Sequence, residues 1–380
     1  MKKIIIFTNT DWHFYAHLLP IALTAKMQGY EVKVLTNISE FKDKIEQHGL
    51  QVIPISIKRG SINPFTDLLL LIKLISILNK EKPDILHNFT IKPIFYGSIT
   101  AFLCSICSKQ KSLPQVINTF VGMGLIFISS NFLLRLVRSI IVRIISIIGY
   151  YRSMLFVVQN DDDLALLVKL AIAPKNLIIK QCSVGIETEK FPFLLEPLGS
   201  KIVVALVARM IIDKGIYEFI YAAKILKQKG INAEFWLVGE ADKDNKQSIA
   251  QSILEDYQNL GYIKYLGYQK NIEEIWKKAH IAVLPSYREG LSRSLLEAGA
   301  YGRAIITTDA PGGRELIQDQ INGLLVKPQN TEDLARAMEL LITMPLLRKH
   351  LGKKIRQDIL EKYDCQLISE KMVNFYDYPE

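Results

Sequence analysis

The stretch HIAVLPSYREGLSRSLLE, residues 280–297, decides the fold because it reads as a strand, a turn and a helix in succession. Its apolar beginning is typical of a buried strand, and Gly290 is expected to open the helix. Free N–H groups at a helix start favour an anion. Glu289 and Glu297 add carboxylates that suit sugar hydroxyls. Taken alone, the two glutamates could instead be a helix cap and a solvated surface residue.

A second strand-to-helix junction lies at KIVVALVARMIIDKG, residues 201–215. The apolar run is followed by Arg209 and Lys214, and Asp213 is expected to cap the next helix. Ligands bind where the strands of a parallel sheet end, and two cations beside helix amides suit a diphosphate. The alternative is a pair of surface cations in a basic protein. The diphosphate is favoured because both cations lie at one strand-to-helix loop.

Strand-like and helical runs alternate along the chain, which indicates the α/β class with parallel sheets. The alternation begins with the apolar run at residues 3–8 and restarts at Lys201. Two serial sheets predict two Rossmann-like domains. The boundary between them is expected within FPFLLEPLGS, residues 191–200, because this segment contains two prolines and a glycine.

Composition and charge exclude several classes of protein. The chain has 380 residues, and its hydrophobic fraction of 49% excludes a disordered protein. Its net charge of +9 fits a phosphorylated substrate or an anionic membrane surface. The sequence contains no nucleic-acid-binding motif, so no nucleic-acid partner is expected. Four scattered cysteines suit a reducing compartment, and residues 1–10 read as a first strand rather than a signal peptide. The protein is expected to be cytoplasmic.

The motifs together resemble glycosyltransferase family 4, the retaining sugar-nucleotide transferases of GT-B fold. The matching elements are Arg209, Lys214-Gly215, FWLVG (235–239), Pro285-Ser286, Glu289-Gly290 and Glu297-Ala298. The first half resembles the subset that extends polyprenyl-diphosphate-linked sugars, through ILHNFTIKPIFYG (85–97), VINTFVGMG (116–124) and VVQNDDD (157–163).

The resemblance implies two Rossmann-like domains that face each other across a cleft. Residues 1–195 would form an acceptor-binding domain with membrane-facing helices. Residues 196–360 would bind the sugar nucleotide, and residues 361–380 would form a C-terminal helix that crosses back to the first domain.

The resemblance also implies roles for donor-binding residues. Glu289 would hold the sugar hydroxyls and Glu297 the ribose hydroxyls, while the amides of Gly290 and Leu291 would meet the distal phosphate. The base would lie near Gly239, Glu240 and Tyr268. A core tyrosine is the alternative for Tyr268.

The reaction implied by the resemblance retains the configuration of the donor sugar. Arg209 and Lys214 would stabilise the leaving diphosphate of a UDP-sugar, so neither a metal ion nor another cofactor is expected. The string at residues 242–244, DKD, is formally a DxD metal motif. Its lysine offsets the acidic charge, and a solvated loop is expected there instead.

The acceptor site is expected at the ends of the amino-terminal strands. His87 ends the strand ILH, and the resemblance makes it a candidate catalytic residue that contacts the donor sugar or the acceptor. An isolated histidine is more often packed or solvated. The other expected acceptor contacts are Asp11, His17, Lys92, Asn118 and Thr119. The loop after Thr119 contains glycines and could cradle a phosphate or simply be a tight turn.

Residues 125–152, LIFISSNFLLRLVRSIIVRIISIIGYYR, predict an amphipathic helix. Arg135, Arg138 and Arg143 share one arc of the helical wheel with polar neighbours, and apolar residues fill the wider remainder. A helix of this kind lies among lipid headgroups, and its arginines disfavour a membrane-spanning helix. The protein is therefore expected to associate peripherally with the inner face of the cytoplasmic membrane. The alternative is a core helix with its arginines in solvent.

The expected function is transfer of a hexose or N-acetylhexosamine from a UDP-sugar to a polyprenyl-diphosphate-linked saccharide, in the synthesis of a cell-surface polysaccharide (O-antigen or capsule) or a glycan. Two alternatives remain open: a sugar-nucleotide epimerase of GT-B fold that acts on soluble substrate, and a non-catalytic sugar-nucleotide binder. The basic amphipathic segment, together with Arg209, Lys214, Glu289 and Glu297, disfavours the epimerase. The presence of all four charges disfavours the binder, because a protein without catalytic activity has no chemical need for them.

Overall fold

The computed structural model describes residues 1–57, 63–107, 114–123, 127, 131–151, 154–182, 185–199, 201–242, 245 and 247–377. The chain divides into two compact units. The first unit contains Met1–Val184 and Cys365–Glu380, and the second contains Gly185–Asp364. The C-terminal segment therefore belongs to the same unit as the amino terminus.

Within the described ranges, the first unit has a seven-stranded parallel sheet in the order β3-β2-β1-β4-β5-β6-β7. The apolar run that predicted the first strand is buried throughout at Ile4–Phe7, as expected for a central strand covered on both faces. The order of the strands reverses between β1 and β4, and this is where α/β sheets bind ligands. The strands are β1 (Lys3–Thr10), β2 (Glu31–Asn37), β3 (Gln51–Pro54), β4 (Ile85–Phe89), β5 (Gln115–Thr119), β6 (Met154–Val158) and β7 (Ile178–Lys180).

The helices of the first unit cover both faces of this sheet. One hydrophobic cluster joins the sheet to α4, α5, α6 and α7, whereas the C-terminal helix α15 packs against α2. A π-helical turn, Phe14–Leu18, precedes α2, so the chain enters this helix through an irregular turn. The described helices are α1 (Asp11–His13), α2 (Leu19–Met27), α3 (Lys42–Glu46), α4 (Pro64–Glu81), α5 (Ile91–Cys107), α6 (Phe132–Tyr151), α7 (Asp161–Lys169) and α15 (Cys365–Val373).

The second unit is built in the same way around a six-stranded parallel sheet, in the order β10-β9-β8-β11-β12-β13 among the described residues. The strands are β8 (Ile202–Val207), β9 (Ala233–Val238), β10 (Lys264–Tyr265), β11 (Ile281–Leu284), β12 (Ala304–Thr308) and β13 (Leu324–Val326). The helices are α8 (Ile216–Gln228), α9 (Gln251–Asn259), α10 (Ile272–Lys278), α11 (Arg293–Ala300), α12 (Gly313–Leu316), α13 (Thr331–Thr343) and α14 (Pro345–Lys362). The strand, turn and helix predicted at residues 280–297 are β11, its loop and α11.

The division between the units lies before the segment 191–200 that the prolines and glycine suggested. This segment is attached to the second unit by buried arginines. Arg303 donates to the carbonyl of Leu194 at 3.0 Å, and Arg348 forms a bidentate ion pair with Glu196. The proline-containing stretch is thus part of the second unit, because side chains distant in sequence bind its backbone.

Candidate functional site

The central feature of the second unit is an ion pair between Lys214 and Glu289. Lys214 lies in a 3-10 turn, Ile212–Lys214, after β8, and Glu289 lies in the loop after β11. β8 and β11 are neighbours in the sheet, so parallel strands bring both loops to the same carboxyl edge. Two residues that the sequence assigned to the donor site therefore meet across 75 positions of chain.

The two loops approach each other closely because Gly215 lies against Pro285. Gly215 has a φ of 71°, and a Cβ at this position would clash with the carbonyl oxygen of Pro285. The amide of Tyr287 donates to the carbonyl of Asp213 at 2.9 Å. Gly215 itself occupies the N-cap position of α8, so the prediction that Asp213 caps this helix is wrong. The carbonyl of Asp213 instead accepts a hydrogen bond from the neighbouring loop.

Tyr287 and Glu218 form a further link between these loops, and no local pattern in the sequence indicates it. The Tyr287 hydroxyl donates to Glu218 Oε1 at 2.7 Å. Burial and the nearby Glu218 raise the pKa of Tyr287, which keeps the hydroxyl protonated. Glu218 lies in the first turn of α8. The link therefore connects the loop of Glu289 to the helix that follows Lys214.

The loop after β11 is longer than expected, because α11 begins at Arg293 rather than at Gly290. Ser292 is the N-cap, and its hydroxyl accepts from the amide of Leu295 at 3.4 Å. Glu289 is thus neither a cap nor part of the helix. Among the described residues, no hydrogen bond uses the amides of Gly290 or Leu291. These amides lie in the loop and are available to a ligand; their contact with a phosphate stays a prediction.

Arg209 forms an ion pair with Asp242 in the loop that follows β9. β9 is the other neighbour of β8, so this pair lies at the same edge of the sheet as Lys214 and Glu289. Asp242 is the first acid of the DKD string, and its partner Asp244 lies outside the described residues. Both predicted diphosphate contacts, Arg209 and Lys214, are therefore paired with carboxylates.

Glu297 lies one turn into α11 and binds Arg293 at 2.9 Å. Burial raises the pKa of the Glu297 carboxyl, and Arg293 offsets this only in part. A carboxylate held in a desolvated position is typical of a functional site. Arg293 was not predicted as a partner of Glu297, although residues four positions apart in a helix commonly form such ion pairs.

The region expected for the base is built around Gly239. This residue has a φ of 137° and lies too close to the carbonyl oxygen of Ala208 for any Cβ. Its amide donates to Gly267 at 2.8 Å, and the carbonyl of Glu240 accepts from Met210 at 2.9 Å. Tyr268, which follows Gly267, is exposed. The alternative of a core tyrosine is therefore wrong, and Tyr268 lies beside the turn predicted to hold the base.

In the first unit, His87 is a core residue. Its Nδ1 lies 2.9 Å from the hydroxyl of Tyr376, and its Nε2 lies 2.8 Å from Thr119 Oγ1. Full burial lowers the pKa of His87 to about 3, so the ring is neutral at physiological pH. The catalytic role expected for His87 is not supported, because both ring nitrogens bind protein groups inside the fold.

Three of the predicted acceptor contacts are also buried. Thr119 binds His87 through its hydroxyl. The side-chain oxygen of Asn118 accepts a hydrogen bond from the side-chain amide of Asn88 at 2.9 Å. Asp11 accepts from the amides of Trp12, Ser39 and Phe41 and from the Ser39 hydroxyl. Burial alone would raise the pKa of Asp11, but these hydrogen bonds outweigh it and lower the pKa. The contacts of Asn118, Thr119 and Asp11 hold the sheet and its loops together rather than offering groups to a ligand.

The other two acceptor candidates remain accessible in part. His17 lies in the π-helical turn after β1, with its ring 5.7 Å from that of Trp12. Lys92 lies in the first turn of α5, with its ammonium 3.6 Å from a carboxylate oxygen of Asp67. These two residues follow β1 and β4, the neighbouring strands at the point where the sheet order reverses.

Comparison with known proteins identifies the family. Residues 187–358 match the family model described as glycosyl transferases group 1, and residues 3–158 match glycosyl transferase 4-like. The N,N'-diacetylbacillosaminyl-diphospho-undecaprenol alpha-1,3-N-acetylgalactosaminyltransferase of Campylobacter jejuni is 30% identical over 375 residues, which are 96% of this chain and 95% of the relative. The chain belongs to the glycosyltransferases of these families.

Further relatives and solved structures agree with this assignment. The UDP-Gal:alpha-D-GlcNAc-diphosphoundecaprenol alpha-1,3-galactosyltransferase of Escherichia coli is 23% identical over 83% of this glycosyltransferase and 81% of its own length. Among solved structures, HepE of Anabaena in complex with UDP-glucose matches with a TM-score of 0.78, over 99% of each chain and at 17% identity. The fold is GT-B, as the sequence predicted.

The glycosyltransferase exposes an apolar surface on α4 and α6 of its first unit. Arg135 and Arg143 are exposed on α6 among apolar side chains, whereas Arg138 is half-buried and donates to the carbonyl of Phe127 at 2.7 Å. The exposed apolar residues of this α4/α6 face are Phe65, Leu68, Leu69, Ile72, Phe132, Leu136, Ile140 and Ile147. Residues 124–126, 128–130 and 152, at the ends of the segment predicted to be amphipathic, lie outside the described ranges. None of the described helices has the length and apolar composition needed to cross a membrane.

No group of three or more histidine, cysteine, aspartate or glutamate side chains that could hold a metal ion occurs among the described residues of the glycosyltransferase. Asp242 is engaged with Arg209. The acids Asp161 and Asp162 lie in the first turn of α7, where the helix dipole favours them.

Proposed function

We propose that this glycosyltransferase transfers a hexose or N-acetylhexosamine from a UDP-sugar to a polyprenyl-diphosphate-linked saccharide, with retention of configuration. The observation that carries the proposal is the pairing of Lys214 with Glu289 at the carboxyl edge of the second sheet, beside Arg209 and the loop amides of Gly290 and Leu291. The relatives from Campylobacter jejuni and Escherichia coli support the class of acceptor, since both names contain a saccharide linked to diphosphoundecaprenol. The Escherichia coli name also contains a UDP-sugar donor.

The leaving diphosphate is the group that this site suits. When the bond between the anomeric carbon and the diphosphate breaks, negative charge develops on the departing oxygen. Arg209, Lys214 and the two loop amides are donors that lie ready at one sheet edge, and such preorganised donors stabilise developing charge. Removing one donor of this kind typically costs roughly 3–4 kcal/mol in the activation barrier.

The proposed donor contacts are those that the family resemblance implies, and the geometry is compatible with them. Glu289 accepts from the sugar hydroxyls once the diphosphate engages Lys214. The half-buried Glu297 accepts from the ribose hydroxyls. The base lies against the turn at Gly239 and Glu240, with the exposed ring of Tyr268 beside it.

The proposed transfer is a front-side displacement. The acceptor oxygen attacks the anomeric carbon on the face from which the diphosphate leaves, and the acceptor proton passes to the departing diphosphate oxygen. No carboxylate is assigned as a nucleophile, and the cations replace a metal ion in neutralising the leaving group. We therefore propose that the reaction is independent of metal ions and of other cofactors.

The proposed place of action is the cytoplasmic face of the membrane that carries the lipid-linked acceptor. The α4/α6 face supports this, because it combines exposed apolar side chains with Arg135 and Arg143. Apolar residues bordered by arginines suit a layer of anionic headgroups over acyl chains. The product would serve the assembly of a cell-surface polysaccharide or glycan.

The test is release of UDP from a panel of UDP-sugars, with and without a defined lipid-linked acceptor. Release that requires the lipid acceptor supports the proposal. Interconversion of free sugar nucleotides without acceptor would instead identify an epimerase, and binding without turnover a non-catalytic protein.

Two variants locate the chemistry. Lys214→Ala and Arg209→Ala should each lower kcat by about 10²–10³-fold, while circular dichroism and thermal unfolding stay near those of the parent. Near-normal turnover in both variants would remove the diphosphate assignment. Activity should persist in excess chelator, and complete loss that Mn²⁺ restores would contradict the metal-free transfer.

A further inference from the structure

Trp12 is the exposed tryptophan of this protein. All three tryptophans lie in described parts of the chain, and 52% of the Trp12 surface is exposed, against 7% for Trp236 and 1% for Trp276. An indole ring is a large apolar surface that is usually covered. Its exposure directly after the central strand β1 is therefore a feature that core packing does not explain.

The backbone that carries Trp12 is held in place by Asp11. The buried carboxylate accepts from the amide of Trp12 at 2.8 Å, from the amide of Ser39 at 2.6 Å and from the amide of Phe41 at 3.1 Å. These bonds tie the loop after β1 to the loop after β2. The exposed ring thus stands on a rigid base, which lowers the entropic cost of using it to bind a ligand.

Polar side chains surround Trp12, and the helix that follows it begins irregularly. The ring of His17 meets it edge-on at 5.7 Å, and the ring of His13 lies 5.2 Å from that of His17. Thr8 Oγ1 lies 2.9 Å from His13 Nδ1. The helix that follows begins with a π-helical turn, Phe14–Leu18, and such turns occur frequently at functional sites.

The position of Trp12 in the sheet agrees with a ligand site. β1 and β4 are the neighbours between which the strand order reverses, and ligands of open α/β sheets bind outside the carboxyl ends at this point. Tyr15 of the π-helical turn and Phe41, which precedes α3, pack together with their ring centroids 5.3 Å apart. The carboxyl edge therefore offers aromatic surface bordered by hydroxyl and imidazole groups.

We infer that Trp12 is the stacking platform for the saccharide of the lipid-linked acceptor. A pyranose ring has an apolar face of C–H groups and a rim of hydroxyls, so it matches an indole bordered by polar side chains. The inference rests on the proposed function for the identity of the ligand. It also changes the role of Asp11, which positions the platform instead of touching the acceptor.

Fluorescence measures occupancy of this platform directly. The probes are farnesyl diphosphates that carry N-acetylglucosamine or N-acetylgalactosamine, and farnesyl diphosphate without a sugar. A sugar-bearing probe should change the emission of the full-length wild-type protein, and Trp12→Phe should abolish the change because Trp236 and Trp276 are buried. Farnesyl diphosphate alone should leave both spectra unaltered.

Kinetics separate stacking from a loss of structure. Trp12→Ala should raise the KM for the sugar-bearing acceptor by roughly three- to tenfold, the range expected for one aromatic contact, and leave the KM for the donor unchanged. Trp12→Phe keeps an aromatic face and should stay within about twofold of wild type. Met27→Ala, at another exposed apolar side chain of the first unit, is the matched control and should change neither constant.

The outcomes distinguish this inference from the proposed function. If wild type transfers sugar and Trp12→Ala keeps its acceptor KM, the platform is refuted and the function stands. If wild type transfers no sugar but a sugar-bearing probe changes the emission only when Trp12 is present, the platform stands and the function fails. An unchanged emission with both sugar-bearing probes overturns the inference, as does an equal response to anionic vesicles that lack saccharide.

Discussion

Replacing Asp242 with asparagine should make the protein bind UDP more tightly. The Asp242 carboxylate is paired with the Arg209 guanidinium. If Arg209 binds the diphosphate, as proposed, then the diphosphate must first displace Asp242. An asparagine has nearly the same shape but no charge, so it removes the competing anion and leaves the arginine in place.

The size of the effect follows from the exposure of the pair. The side chain of Arg209 is 49% exposed and that of Asp242 is 22% exposed, so solvent screens their attraction. Exposed ion pairs contribute roughly 0.2–1 kcal/mol, and a tenfold change in affinity corresponds to about 1.4 kcal/mol. The dissociation constant for UDP should therefore fall by about 1.4- to 5-fold in Asp242→Asn.

Isothermal titration calorimetry at low ionic strength measures this change. The matched control is Glu339→Gln. Glu339 lies on α13, away from the site, and forms an ion pair with Lys229. The side chains of Lys229 and Glu339 are 48% and 32% exposed, so this pair resembles that of Arg209 and Asp242 in exposure. The control should leave UDP affinity unaltered. If the control leaves UDP affinity unchanged and Asp242→Asn binds UDP no more tightly than wild type, Asp242 does not compete with the diphosphate for Arg209. Weaker binding in Asp242→Asn would mean that Asp242 itself contacts the ligand.

Three further predictions follow from burial and surface charge. Burial raises the pKa of Glu297 above its ordinary value of 4.5, so its ionised form opposes folding. Glu297→Gln should therefore raise the Tm at neutral pH, lose that gain below pH 4.5 and bind UDP more weakly. His87 has a folded pKa of about 3 against 6.5 when exposed, so folding stability should fall as the pH drops below 6.5, by about 1.5 kcal/mol between pH 6.5 and 5, and His87→Gln should lack this contribution in urea unfolding. Reversing Arg135 and Arg143 to glutamate should weaken sedimentation with anionic vesicles by roughly tenfold or more, since each basic residue near such a surface contributes about 1 kcal/mol.

Each of these predictions has a result that would contradict it. A Tm gain in Glu297→Gln that persists below pH 4.5 would mean that ionisation is not its cause. Parallel pH dependence of wild type and His87→Gln would show that the histidine titrates normally. For the vesicle experiment, the double variant Lys349→Glu/Lys353→Glu, at two exposed lysines of the second unit, is the control of equal charge change. An equal loss in that variant would reduce the effect to net charge alone.

Much of the donor site could be predicted from short stretches of sequence. The strand, loop and helix at residues 280–297 are recognisable from local apolar periodicity, and they place Glu289 and Glu297 without reference to other parts of the chain. The same is true of Arg209 and Lys214 after β8. The helix starts were less predictable, because Ser292 and Gly215 compete with other plausible caps within a few residues.

For the residues expected at the acceptor site, the sequence indicated positions along the chain but not the contacts of the side chains. His87 was expected at a strand end, and it lies there, but its burial depends on Tyr376, which is 289 residues away in the sequence. Asp11 was expected near the acceptor, yet its oxygens bind Ser39 and Phe41 on another loop. Nothing within either motif indicates these partners.

The sequence by itself determined the two parallel sheets, the order of their strand-to-helix units and the charged residues at the ends of β8 and β11, because these depend on apolar periodicity and on neighbours within a few positions. The tertiary structure decided which charges are paired, which polar groups are buried and which aromatic ring is exposed. Lys214 meets Glu289 and Tyr287 meets Glu218 only because the non-consecutive strands β8 and β11 lie side by side. Arg209 meets Asp242 because β9 is the other neighbour of β8. The pairing and the desolvation of side chains depend on distances between residues that are far apart in the chain. Local sequence patterns do not predict those distances.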